Sequence, residues 1–208
     1  MKNSNKVKRE NTGHLINNAG HRRYTTPDSI DNLLRYITRT NGSNKNDLVS
    51  WGALGSLEFL GVDAVIDDFH STQKLHKRKG NFGRYIDHEY FSLSNKATKI
   101  IYDLDLDIDK MARRMAYDFF NEDNCQVLYG VHAPSDADKH LHFHFAINTV
   151  NFENGNKRRE NRTDTYNRSS RFQRIVLAEI NKQQKELQKK PKNLLPKYCT
   201  PKQNVSIY

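Results

Sequence analysis

The chain has 208 residues, a formal net charge of +10 at pH 7 and a pI near 9.5, which fits one substantial domain able to bury a core and bind a polyanion. No apolar run approaches the roughly 18 residues of a membrane span, and the opening MKNSNKVKRENTGHL lacks the apolar centre of a secretory signal. Cys125 and Cys199 make neither a disulfide framework nor a metal-ligand pattern, so a cytoplasmic setting is the simplest reading.

The charge is uneven. Residues 151–208 hold 14 Lys and Arg against five acids, a balance of +9, and the first 25 residues carry +5. The middle is therefore net acidic, at −4. Solvated basic tails would give the same totals, so charge alone does not name a ligand.

Residues 1–26 are polar, include the Arg22–Arg23 pair, and read as a basic arm or loose strand. The stretch TTPDSIDNLLRYITRTNG then predicts a helix. Asp28 or Ser29 can cap it, Ile30, Leu33, Leu34 and Ile37 form its apolar stripe, and Asn41–Gly42 ends it. Tyr36 lies in its last turn, beside the stripe. Residues 44–60 read as a loop or short element. Residues 62–76 look helical, with Val62, Val65, Ile66, Phe69 and Leu75 as the buried side. A basic, Gly-bounded turn follows, containing Lys77, Arg78 and Lys79. RYIDHEYFSLS, residues 84–94, reads as a strand with Tyr85, Asp87, Glu89 and Phe91 on one face and Ile86, His88, Tyr90 and Ser92 on the other. Residues 107–121 predict a second strong helix on Ile108, Met111, Ala112, Met115 and Phe119. Residues 126–132 and 140–151 read as strands joined by the polar loop APSDADK, and Asn154–Gly155 marks a turn. Residues 166–190 predict a long helix burying Phe172, Ile175, Val176, Leu177, Ala178 and Ile180. Residues 191–208 read as a basic tail or linker. The folded domain is thus expected over 27–190.

The most informative stretch is KHLHFHFAINTVN, residues 139–151. A strand has a side-chain period of two, so His140, His142 and His144 share one face while Leu141, Phe143 and Phe145 share the other. The apolar face would pack on a core and the histidine face would look into a cleft. A lone strand histidine is usually structural, but clustered histidines mark metal or catalytic sites. Two imidazoles at i and i+2 can hold one metal ion, and His132 can supply a third if its segment is the neighbouring antiparallel strand. Three neutral imidazoles leave coordination positions open, the form of a catalytic metal site. Together these elements predict an α+β fold. Its central, mainly antiparallel sheet would carry helices on one face and leave the histidine-lined cleft open on the other.

Three stretches, in order, resemble the single-tyrosine MobA/VirD-like relaxases, the mobilisation nucleases of plasmids and integrative elements within the HUH endonuclease superfamily. LLRYITRTNG resembles the nucleophile motif, which puts Tyr36 in that role. Tyr24, outside the helix, is the reserve candidate. RYIDHEYFSLS resembles a middle strand that carries an acid near the site, here Asp87 or Glu89, with Asp136 and Asp138 in the later loop as further carboxylates. LYGVHAPSDADKHLHFHFAINTVNFENGNK resembles the metal motif, which implies His132, His142 and His144 as ligands and His140 as a non-ligand. The resemblance implies a site- and strand-specific nick in single-stranded DNA at an origin of transfer, through a covalent 5′-phosphotyrosine. It implies Mg²⁺ or Mn²⁺ as cofactor, whereas histidine softness alone would favour Zn²⁺ or Mn²⁺. Implied partners are accessory proteins of the relaxosome and a type IV coupling protein, with no membrane insertion. The protein would travel with the DNA to the recipient cell, and its tail would lead to a further C-terminal region. Arg22, Arg23, Lys77, Arg78, Lys79, Lys157, Arg158 and Arg159, with the basic 168–174 helix start, would hold the DNA backbone.

Other classes share parts of the pattern. HLHFHFA also fits a histidine-triad nucleotide hydrolase, in which a histidine is the nucleophile and no metal is needed. The high charge, His132 and the upstream tyrosine helix argue against it. A rolling-circle replication initiator would use the same superfamily chemistry. A non-catalytic nucleic-acid module with a structural Zn²⁺ would want a fourth strong ligand. By residues alone, a helix tyrosine packed on the core is the favoured reading of Tyr36.

Overall fold

The strand His142–Asn148 (β5) shows the alternation that the sequence dictates. Phe143, Phe145 and Ile147 enter one hydrophobic cluster, whereas Ala146 enters another on the opposite face. The computed structural model describes residues 12–17, 24–42, 45–77, 82–135 and 140–189. In it β5 lies at the centre of a five-stranded, wholly antiparallel sheet. The strands are Gly13–Asn17 (β1), Leu48–Leu54 (β2), Ile86–Leu93 (β3), Val127–His132 (β4) and β5, in spatial order β1-β3-β5-β4-β2. Register places His132 opposite His142, and both Gly130 and Tyr90 opposite His144. Facing residues of antiparallel strands point to the same side of the sheet. The histidines of two strands thus gather on one face.

The phenylalanine face is covered by helices Asn95–Asp103 (α3), Ile108–Asp123 (α4) and Arg162–Lys189 (α5). Ser94 caps α3 by accepting a hydrogen bond from the Ala97 N–H (3.2 Å), and Asp107 caps α4 by accepting from Lys110 N–H (2.9 Å). Met111, Met115 and Phe119 of α4 and Phe172, Val176 and Ile180 of α5 close over Phe91, Phe143 and Phe145. This is the expected helical layer. Helices Asp28–Ile37 (α1) and Val62–Gln73 (α2) add a second, partial layer on the histidine face. They cover only its far half, where the strands present Ala53, Ile86, Leu128 and Ala146 instead of histidines. Those apolar positions need burial, so the open cleft is half a sheet wide.

The stripe Ile30, Leu33, Leu34 and Ile37 is buried as expected. Several other expectations need correction. Within the stretch read as a loop or short element, residues 48–54 form a strand: Val49 and Trp51 favour extended backbone, but Gly52 masks the pattern. A Cβ on Gly52 would stand 2.5 Å from the Tyr129 hydroxyl, which crosses there. Within the stretch read as a basic arm or loose strand, residues 13–17 form β1, which pairs with β3 and so extends the sheet before residue 27. Helix α3 escapes the sequence because few of its residues, Ala97, Thr98 and Ile101, are buried. Leu75 lies beyond the end of α2 and is exposed, as is Ala178 on α5. Residues 191–208 lie outside the described residues. No helix among the described residues is long and apolar enough to cross a membrane.

Two buried polar networks hold the layers. Asn148, at the end of β5, is fully buried. Its amide donates to Phe69 O (3.1 Å) and Gln126 Oε1 (2.9 Å), and its Oδ1 accepts from Gln73 and from Val150 N–H (3.1 Å). All of its hydrogen-bonding capacity is used, which fastens the strand end to α2. On the phenylalanine face Arg158 is 2 % exposed and pairs with Asp87 (2.8 Å), Glu89 (3.2 Å), Asp123 (2.7 Å) and Glu160. Arg168, also buried, pairs with Asp118 (3.2 Å), Asp123 (3.2 Å) and Glu160. Five carboxyls share two guanidinium groups. Burial pushes the Glu89 carboxyl well above the usual range, so it keeps its proton and donates it towards Glu160. Burial opposes the charge of Glu160 as well, but the bond from Glu89 and the two arginines hold its pKa low.

Removing a partner from such a cluster leaves buried charge uncompensated. Arg158→Met should cost about 3–5 kcal/mol of stability in urea unfolding. Glu89→Gln, which keeps a donor towards Glu160, should cost less than about 1 kcal/mol. Equal losses would mean that Glu89 is charged.

Candidate active site

The stripe that seats α1 leaves Tyr36 at the edge of the contact, 39 % exposed and leaning over the histidines. Its ring stands edge-on to three imidazoles, with centroid distances of 5.9 Å to His132, 6.0 Å to His144 and 6.3 Å to His88. The close approach depends on Gly130. A Cβ there would stand 2.5 Å from Ile37 Cγ2 and 2.9 Å from Ile37 O, so only glycine lets the end of α1 rest on the sheet.

The helix ends earlier than Asn41–Gly42. Thr38 N–H donates to Leu34 O (3.0 Å) and Thr40 N–H to Arg35 O (3.0 Å), with Arg39 between them at φ 57°. This six-to-one closure is the Schellman turn, which usually carries glycine at the left-handed position. The Arg39 side chain is buried. It donates through Nε and Nη2 to both oxygens of Asp47 (2.7 and 2.8 Å) and through Nη1 to Tyr36 O (3.3 Å). Its Cζ lies 4.8 Å from the Tyr36 ring centroid.

Arg39 also fixes the state of His132. Its Nη2 lies 2.9 Å from His132 Nδ1. A guanidinium can only donate, so Nδ1 accepts. The ring proton is then on Nε2, which donates to Ile37 O at 2.8 Å. His144 Nδ1 shares a hydrogen bond with His88 Nε2 (3.1 Å), and His88 Nδ1 shares one with the Tyr24 hydroxyl (3.1 Å). Burial pushes the pKa of His132 down and that of His144 well down, so both rings are neutral at pH 7. His142 is partly exposed beside them, its ring centroid 5.9 Å from that of His144. The Nδ1 of His140 is 2.7 Å from Leu93 O and turned to the strand edge.

Of the anticipated residues, the fold therefore gathers Tyr36, His132, His142 and His144. It does not gather the acids. Asp87 and Glu89 point to the phenylalanine face and are held by Arg158, because alternation sends them opposite to His88 and Tyr90. His88 is the β3 residue that faces the cleft. Asp136 and Asp138 lie outside the described residues. So do Arg22, Arg23, Arg78 and Lys79 among the basic ones. Lys77 and Arg159 are exposed. Arg158 and Arg168 are interior, and Lys157 spends its ammonium on Arg84 O and Thr149 (2.6 Å) and over the Phe82 ring, 3.7 Å away. Burial pushes the Lys157 pKa down to about 8. These three do not offer free charge to a phosphate. His88 was legible in the alternation of β3, whereas Arg39 and Asp47 gave no signal, since nothing in sequence marks an arginine in a glycine slot.

The model of the MobA/VirD2-like relaxase nuclease domain matches residues 36–182 of this sequence, from the last turn of α1 into α5. The chain belongs to this relaxase family. No curated protein matches it. Two solved structures are similar: the conjugative relaxase TrwC in complex with OriT DNA, metal-free (14 % identity, TM-score 0.45) and metal-bound (15 % identity, TM-score 0.46). Each comparison covers 83 % of this chain and 70 % of that one.

Whether this relaxase domain suits a divalent ion can be judged from its donors. Among the described residues, no group of three His, Cys, Asp or Glu side chains converges on one point. Both nitrogens of His132 are engaged, Nδ1 with Arg39 and Nε2 with Ile37 O. The donor chemistry fits: the buried imidazoles are neutral, and His144 has one nitrogen bonded to His88, the arrangement that orients metal-ligating histidines. His132 would join through Nδ1 by releasing Arg39, or through Nε2 by releasing the Ile37 carbonyl and moving its proton to Nδ1, which ends acceptance from Arg39 as well.

The buried neutral histidines have a consequence for stability. An unfolded histidine takes up a proton near pH 6.5, and folded His144 does not. The unfolded state therefore binds more protons as pH falls through that value, and stability is lost on the acid side. Thermal midpoints should fall between pH 7.5 and pH 5.5. Glu89 acts in the opposite sense, so the difference between wild type and His144→Gln isolates the histidine. An unchanged pH slope in that variant would show His144 to be protonated when folded.

Proposed function

We propose that this chain nicks one strand of DNA at the origin of transfer of a mobile element, with Tyr36 as nucleophile. In this reaction the Tyr36 oxygen attacks the scissile phosphorus. A new O–P bond forms, the P–O3′ bond breaks, and the products are a 5′-phosphotyrosine and a free 3′-hydroxyl. Phosphoester energy is conserved in the link, so reversal reseals the strand. The observation that carries this reading is the placement of Tyr36 over His88, His132 and His144 in a relaxase-family domain.

Of the imidazoles beside the Tyr36 ring, His88 lies outside the proposed ligand set and, rather than Asp87 or Glu89, is the group placed to receive the phenol proton. His142 and His144, joined by His132, would hold a divalent ion, Mn²⁺ or Mg²⁺ by the family resemblance and Zn²⁺ by donor softness. When bound, the ion would neutralise charge on the non-bridging phosphate oxygens. An unpaired strand would lie across the partly exposed Tyr36 and His142. The exposed Lys77 and Arg159 support contact with its backbone. In this role the protein acts in the cytoplasm with accessory proteins and a coupling protein, and moves with the attached strand.

The test uses single-stranded oligonucleotides from the element's own origin of transfer, with Mn²⁺. Wild type should form a covalent adduct, and Tyr36→Phe should form none while binding the strand normally. Tyr24→Phe should retain the adduct. His142→Ala should lose cleavage but keep most affinity, and EDTA should stop the reaction. A nucleotide mapped to the peptide of Tyr24, or to His140, would overturn the assignment.

A further inference from the structure

We propose that Arg39 is a positioning residue, held by Asp47, that sets the pose of Tyr36 and the tautomer of His132 together. The inference rests on Tyr36 being the nucleophile. Four features of the residue converge. It occupies the left-handed turn position at φ 57°, where a non-glycine residue pays about 1–2 kcal/mol. Its side chain is only 8 % exposed. Its guanidinium is fixed in a plane by two bonds to one carboxylate. Its remaining contacts all run into the site: Tyr36 O, the Tyr36 ring and His132 Nδ1.

A purely structural role explains this poorly. Glycine would relieve the backbone at that turn, and a buried ion pair is a weak source of stability compared with apolar packing. What the guanidinium alone supplies is geometry. Its fork grips Asp47, one edge forces His132 to carry its proton on Nε2, and one face lies against the tyrosine ring. His132 Nε2 in turn ties down the Ile37 carbonyl, next to Tyr36. Arg39 and His132 therefore hold the last turn of α1 from two sides, and the Arg39 bonds to Asp47 and Tyr36 O persist when an ion takes His132. Lysine could replace the charge but not the fork.

The experiment measures adduct formation in single turnover, strand affinity, and the side-chain nitrogen resonances of His132 in the metal-free full chain. Arg39→Gly suits the backbone and should fold. Its rate should fall about 10²-fold, the scale of misplacing a reacting group by an ångström, while strand affinity stays within about twofold because no phosphate contact is removed. His132 should change from one tautomer to a mixture. Arg39→Lys should restore little of the rate, and Asp47→Asn, which keeps the arginine but loosens it, should fall between. Tyr36→Phe is run in parallel. If it still forms the adduct, the nucleophile reading has failed and Arg39 falls with it. If it does not, yet Arg39→Gly reacts at the wild-type rate or loses only thermal stability, the positioning role is wrong.

Discussion

Strand β5 has no spare face. Its odd-numbered side chains are the floor on which α4 and α5 pack, and of its even-numbered ones His142 and His144 line the site while Ala146 and Asn148 meet α1 and α2. A shift of one residue in its register would drive His142 and His144 into the core and Phe143 and Phe145 onto the histidine face. Pairing on both sides, with β3 and β4, prevents this, and Asn148 pins the strand's end through bonds in several directions. The chemistry of the cleft is thereby tied to the integrity of the core. The same alternation that concentrates histidines supplies the hydrophobic burial that keeps them in place.

That coupling explains what could be seen in advance. Period-two alternation in KHLHFHFAINTVN and the stripe of α1 are strong local signals, and both survive folding intact. Tyr36 and the His132, His142, His144 group follow from them once β4 and β5 are paired. The carboxylates failed for a different reason. Asp87 and Glu89 were rightly placed on one face of β3, but a strand's periodicity does not say which face meets the helices. His88 was on the other face all along. Arg158 likewise reads as one more surface cation in a basic run, and only the tertiary structure reveals four acids around it. Edge strands β1 and β2 were hard to recognise because a strand with one neighbour needs less of the alternating pattern.

The arrangement of charge is also two-sided. Beneath the sheet, carboxyls and guanidinium groups neutralise one another out of water, with one proton retained on Glu89 to balance them. Above it, His132 and His144 are neutral and Arg39 is matched by Asp47. The cleft itself therefore brings little net charge of its own to an approaching polyanion. The excess positive charge of the sequence resides towards its ends. The basic excess of the sequence and the nearly uncharged histidine face thus belong to different parts of the chain.

Gly130 gives this geometry an unusual kind of precision. The height of Tyr36 above the histidines is set by Ile37, whose Cγ2 and carbonyl rest directly on the bare backbone of Gly130. A contact of that kind behaves as a mechanical stop: it has one setting and almost no compliance. Residues on the outer side of α1 can vary without moving the phenol, because the stop lies beneath the helix. A single added methyl group at the stop would raise the whole last turn, and the tyrosine and the carbonyl that His132 holds would leave the sheet together. The tolerance of the site is therefore divided sharply, wide across the helix surface and close to zero at one atom's width of the strand below it.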